Sequence, residues 1–124
     1  MNLREQTLPK FRLEKRKLRI RKKIFGTEER PRMSVFKSLK NLEVQIINDE
    51  TGKTILSLST LSKELREQLQ NKKKSDQAKI LGETIAKKAL DAGIKKIVFD
   101  RRGNKYIGRI KILAESLRSG GLEF

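Results

Sequence analysis

Residues 97–124, IVFDRRGNKYIGRIKILAESLRSGGLEF, decide the fold. Ile97, Val98 and Phe99 form a short apolar run that reads as a buried strand, with Phe99 in the core. The run ends in Asp100-Arg101-Arg102-Gly103-Asn104, a polar turn containing Gly and Asn, the residues that tolerate positive φ. A helix is expected over 108–119, where Ile110, Leu113, Ala114 and Leu117 recur at three- to four-residue spacing and give one apolar face. Gly120 and Gly121 stop it. The stretch is therefore strand, loop, helix. Its loop carries the cations Arg101, Arg102, Lys105 and Arg109, the aromatic Tyr106 and the acid Asp100. Cations and a flat ring presented at a strand end suit a polyanion that carries bases.

Working upstream, the next helix is expected from Ser75 or Asp76, either of which can cap it. Ala78, Leu81, Ile85, Ala89 and Leu90 form its apolar stripe and Gly93 ends it. Gly82 lies beside the stripe, where it allows close packing on the sheet. Residues 61–75 are polar, read as a short surface helix ending near Asn71, and the lysine run 72–74 reads as a solvated loop. Before them come three strands at 33–38, 42–47 and 53–60. Met33 and Val35 share one face of the first, Ser34 and Phe36 the other. Val44 and Ile46 face the core from the second. Leu56 and Leu58 oppose Ile55, Ser57 and Ser59 on the third. Leu39-Lys40-Asn41 joins the first pair, and Asp49-Glu50-Thr51-Gly52 is a hairpin turn between the second and third. The order is β-β-β-α-β-α. This is an α/β chain in which a mixed four-stranded sheet has both helices on one face, and the crossover helix makes the last strand parallel to at least one other.

The chain divides at about residue 32. It has 31 Lys and Arg against 15 Asp and Glu, a formal net charge of +16. Residues 1–32 hold 12 of those bases and 4 acids, so a quarter of the chain carries +8. Phe11, Leu18 and Phe25 recur at a period of seven, so 1–32 can be partly helical, but the stripe is thin and cations surround it. A basic arm of this kind orders when its charges meet the phosphates of RNA; the plain alternative is a solvated tail. Residues 33–124 form the globular domain. Pro31 disfavours a helix at Arg30 and opens the extended segment.

Several chemistries are disfavoured. There is no Cys and no His, which removes disulfides, zinc fingers and imidazole or thiol catalysis. Gly103 to Gly108 has the GxxxxG spacing of a nucleotide-binding loop, but Arg109 and Ile110 stand where such a loop needs Lys and Ser or Thr for phosphates and Mg²⁺. Asp49, Glu50 and Asp100 do not make a nuclease metal cluster. The first two read as turn formers and Asp100 as a loop-ordering acceptor. No apolar segment is long enough to cross a bilayer, and 11–25 is too sparse for a membrane-surface helix. The reading is an RNA-binding domain with no enzyme activity, no cofactor, no metal, no membrane partner and no small-molecule substrate.

The run Arg30-Pro31-Arg32-Met33-Ser34-Val35-Phe36-Lys37-Ser38 resembles the RPRLSVFRS block of the family of the eighteenth protein of the bacterial large ribosomal subunit. Gly93-Ile94-Lys95-Lys96-Ile97-Val98-Phe99-Asp100-Arg101, then Tyr106, Gly108-Arg109 and Gly120-Gly121-Leu122-Glu123-Phe124, are similar to its second block and its ending. The resemblance covers essentially the whole chain. It implies a structural ribosomal protein, in the cytoplasm or an organelle, that binds 5S rRNA and helps attach it to 23S rRNA in the central protuberance. Neighbouring 5S-associated proteins, such as large-subunit protein five, would adjoin it. RNA contacts are implied for Arg16, Lys17, Arg19, Arg21, Lys22, Lys23, Arg30 and Arg32 of the arm and for Ser34, Phe36, Lys37, Ser38, Lys40 and Asn41 of the first strand and turn. They are implied also for Arg101, Arg102, Gly103, Tyr106, Gly108 and Arg109 of the last loop. Leu39, Glu43, Arg102, Asn104 and Ile107 depart from the family pattern, which weakens the carry-over of individual base contacts at 39, 43, 104 and 107 and leaves the implied phosphate contacts intact.

Overall fold

The computed structural model describes residues 24–124. Strands β1 (Arg32–Lys37), β2 (Leu42–Asn48) and β3 (Lys53–Ser59) form a meander. A 3₁₀ turn (Lys63–Leu65) and a one-turn helix α1 (Arg66–Leu69) follow. Helix α2 (Lys74–Asp91) crosses to β4 (Val98–Asp100), and helix α3 (Gly108–Ser119) comes last. The sheet order is β3-β2-β1-β4, with β1 antiparallel to β2 and parallel to β4. The expected mixed sheet is present, with both long helices on one face.

Alternation builds the core. Met33 and Val35 of β1, with Leu42, Val44 and Ile46 of β2 and Leu58 of β3, point to the helix side and are buried. Helices α2 and α3 supply Ala78, Leu81, Ile85, Ala89, Ile110, Leu113 and Leu117. The two helices run parallel and very close. A methyl group at Gly82 would sit 2.7 Å from the Ser116 Cβ, and one at Gly120 would sit 2.6 Å from the Ala86 Cβ.

Several sequence expectations change. Gly82 admits the neighbouring helix, not the sheet. Leu90 is exposed, because position 90 turns off the stripe that Ala86 and Ala89 continue. Neither Ser75 nor Asp76 caps α2. The helix begins one residue before Ser75, with Lys73 at the N-cap and no side-chain hydrogen bond to it. The polar stretch 61–75 hides two core residues, Leu65 and Leu69. The last strand lies one residue later than expected. Phe99 is only half-buried, stacked on Phe124 at 5.3 Å between ring centroids. Residues 122–124 run back beside β4, where Ile97 N–H donates to the Glu123 carbonyl and Glu123 N–H to that of Lys95. Positive φ in the last loop falls on Arg102, Gly103 and Gly108, not on Asn104.

Candidate nucleic-acid interface

The parallel pairing of β1 and β4 decides where the loops go. Ser34 is level with Asp100, so β1 runs on past the end of β4 through Val35, Phe36 and Lys37. The loop after Asp100 must therefore ride alongside the end of β1. The turn after β1 leaves from the same end of the sheet. Two stretches far apart in sequence, 36–41 and 101–109, thus become one surface.

Specific contacts join them. The Arg102 guanidinium carbon lies 4.1 Å from the centre of the Phe36 ring. Arg102 holds a left-handed backbone, φ 54°, which costs a non-glycine residue free energy. Its N–H donates to Asp100 Oδ1 at 2.9 Å, so the expected role of Asp100 in ordering the loop is seen directly. From the helix side, Arg109 Nη2 donates to the Ser38 carbonyl at 2.7 Å and Lys74 Nζ to that of Leu39 at 2.6 Å. Within the turn, Asn41 N–H donates to Ser38 Oγ and Ser38 N–H to the Asn41 carbonyl. The turn is pinned, and Leu39 at its tip is 86 % exposed. Lys37 and Lys40 are exposed beside it, and Gly108 and Ile107 lie open at the start of α3.

Other residues expected at this surface are elsewhere. Arg32 is buried and donates from Nε to Asp49 Oδ2 at 2.9 Å and from Nη1 to Asp100 Oδ2 at 2.8 Å. Burial alone would lower its pKa, but the hydrogen bonds and charges of Asp49 and Asp100 outweigh burial and hold it above the ordinary arginine value. Arg32 is thus an internal ion-pair centre and is withdrawn from phosphate. Asp49, read from the sequence as a turn former, accepts that pair and also the Gly26 N–H at 2.8 Å. Ser34 is fully buried and its hydroxyl has no hydrogen-bond partner among the described residues. Gly103 is buried. Arg30 is exposed but precedes β1, at the opposite end of the sheet from the turn. Tyr106 is half-buried on the last loop, where Arg118 Nη1, from the end of α3, donates to its hydroxyl at 3.3 Å and the Arg101 guanidinium carbon lies 6.0 Å from its ring centre. Arg16, Lys17, Arg19, Arg21, Lys22 and Lys23 lie outside the described residues.

The surface is cationic, carries the half-exposed Phe36 ring, and has carbonyls already tied down by cations. That arrangement is suited to phosphates and a stacked base, and not to bond-breaking. The family model described as "Ribosomal L18 of archaea, bacteria, mitoch. and chloroplast" matches residues 9–124. The chain belongs to the ribosomal L18 family. Relatives named large ribosomal subunit protein uL18 are similar over most of their length. That of Dictyoglomus thermophilum is 57% identical over 109 residues, covering 88% of this chain and 89% of the relative. That of Pelotomaculum thermopropionicum is 54% identical over 111 residues, covering 90% and 91%. That of Dehalococcoides mccartyi strain BAV1 is 53% identical over 106 residues, covering 86% and 88%. Membership of the L18 family makes the chain a structural, RNA-binding ribosomal protein and not an enzyme.

Proposed function

We propose that this L18-family chain sits in the large ribosomal subunit, binds 5S rRNA and helps attach it to 23S rRNA in the central protuberance, beside other 5S-associated proteins. The observation that carries the reading is the convergence of Phe36, Lys37, Lys40, Arg102 and Arg109 at one end of the sheet. Arg102 shields one face of Phe36, so a base approaches the ring from the other side or stacks on the guanidinium itself. Lys37, Lys40, Arg101 and Arg109 take phosphates around it, with Ser38 and Asn41 shaping the turn. The basic arm, residues 1–32, adds sequence-tolerant contacts through Arg16, Lys17, Arg19, Arg21, Lys22 and Lys23, while 33–124 supplies selectivity.

The test is a salt titration of filter binding on 5S rRNA and on an unrelated RNA. Each phosphate contact contributes about 0.7–0.9 to the slope of log K against log salt. Changing Arg19, Arg21, Lys22 and Lys23 together to Ala should flatten the slope by roughly two to four units on both RNAs. Phe36→Ala should cost about 1–3 kcal/mol on 5S rRNA with the slope nearly unchanged. If the arm variant loses preference for 5S rRNA and Phe36→Ala loses nothing, the arm reads the RNA and the folded domain does not.

A further inference from the structure

We propose that Arg102 is a specificity-determining residue of the interface: its guanidinium, resting on the Phe36 ring, is the surface on which an unpaired RNA base stacks. This rests on the RNA-binding reading and deepens it, since it commits the base to the guanidinium and not to the free side of the ring. It also goes beyond family membership, because position 102 is one at which the chain departs from the family pattern.

Arg102 stands where a local rule is broken. It and Gly103 are the central residues of a turn closed by the Asn104 N–H on the Arg101 carbonyl at 3.1 Å, and both have positive φ, 54° and 80°. A turn of this hand favours Gly, Asn or Asp at its first central position, and an arginine there is strained. Asp100 holds the strain in place, since its Oδ1 accepts the Arg102 N–H at 2.9 Å. What the strained position delivers is a guanidinium carbon 4.1 Å from the Phe36 ring centre. A glycine would close the turn without strain but could not cover the ring.

The guanidinium is otherwise unspent. It makes no hydrogen bond or ion pair among the described residues. Two carboxylates belong to the same corner of the fold, Asp100 two residues back and Glu43 opposite Phe36 on β2, and neither pairs with it. Asp100 Oδ2 accepts from Arg32 Nη1, and Glu43 Oε1 accepts from Gln45 Nε2 at 3.3 Å. Those carboxylates repel a phosphate at this point, which leaves phosphates to the exposed Lys37 and Lys40 further out. A neutral base meets no such repulsion. It gains a planar, weakly hydrated cation that is half-exposed and already backed by an aromatic ring. Phe36 then serves the base through Arg102, as the ring that positions the guanidinium.

Two substitutions test this. Arg102→Lys keeps the charge and the backbone N–H that Asp100 holds but loses the plane. Arg102→Gly loses plane and charge together. Each is made alone and with Phe36→Ala. Filter binding is measured across salt, well below every variant's melting temperature, on 5S rRNA and on an unrelated RNA duplex, which offers phosphates but no unpaired base. Arg102→Lys should bind 5S rRNA roughly three- to thirtyfold more weakly, with the salt slope nearly unchanged and the duplex little affected. Arg102→Gly should lose at least as much. In either background Phe36→Ala should cost little more, because the ring acts through the guanidinium. Full affinity of Arg102→Lys for 5S rRNA would make Arg102 a plain phosphate contact and overturn the proposal, and so would an equal loss on both RNAs. An undiminished Phe36→Ala loss in the Arg102 variants also overturns it. The base would then meet the ring directly, and the proposed function would stand without Arg102. A wild type with no preference for 5S rRNA would instead overturn the proposed function, and this proposal with it.

Discussion

Replacing Arg32 by Ala should cost about 3–5 kcal/mol of stability, read from chemical denaturation, because it strips the buried Asp100 carboxylate and the part-buried Asp49 carboxylate of their shared partner. Asp100→Asn should cost less, since an amide oxygen can still accept from Arg32 or from the Arg102 N–H. It should nevertheless loosen Arg102 over Phe36 and so weaken RNA binding without a matching change in salt slope. The Arg32 guanidinium stays charged through the working pH range. A base whose pKa is raised on folding stabilises below its unfolded value and loses that contribution only above it, beyond any working pH. Nothing local marks Arg32 as internal. It stands in a basic run, and its acceptors are 17 and 68 residues away. The expected role of Asp100 was legible because its partner is two residues on. Phe36 was legible as an off-core ring by alternation, but its contact with Arg102 depends on the parallel register of β1 and β4.

At the scale of elements, the close approach of α2 and α3 is what fixes the start of α3, and with it Arg109, against the β1–β2 turn. Gly82→Ala tests that approach. Alanine is the better helix former by about 1 kcal/mol, so on propensity alone the change should stabilise. The added methyl would meet the Ser116 Cβ at 2.7 Å and the Leu113 carbonyl at 3.0 Å, and one of these is backbone that cannot swing aside. Overpacking of this kind costs about 1–3 kcal/mol, so a net loss of melting temperature is expected. A rise would mean the helices separate freely. Helix existence and both apolar stripes could be read from periodicity. The start of α2 could not, because capping rules favoured Ser75 or Asp76, whereas the Gln77 side chain and the Lys74 anchor organise the turn through contacts that no capping rule contains. Leu65 and Leu69 were hidden by polar neighbours, since a one-turn helix is too short to show a period.

For the whole molecule, the element order was legible in the sequence, but the sheet order was not, nor were the contacts that tie residues 26–31 to the sheet. Those contacts are tertiary. Gly26 and Pro31 are buried, Gly26 exchanges hydrogen bonds with Asp49, and Val98 N–H donates to the Pro31 carbonyl. A methyl at Gly26 would lie 2.3 Å from the Arg32 nitrogen, so residue 26 is fitted against the start of β1. Two truncations distinguish arm from body. Removing 1–23 takes ten of the 31 bases but none of these contacts. Unfolding should stay cooperative with stability little changed, while the salt slope of RNA binding collapses towards that of the folded surface alone. Removing 1–29 also takes the Gly26 partner of the Asp49 carboxylate, a hydrogen bond to a charged group, and should lower stability further by about 1–3 kcal/mol. Binding by the two truncated forms should then differ little once both are measured well below their melting temperatures. If the shorter truncation already abolishes the cooperative transition, residues 1–23 belong to the folded body, and the division of contacts between arm and domain has to be redrawn.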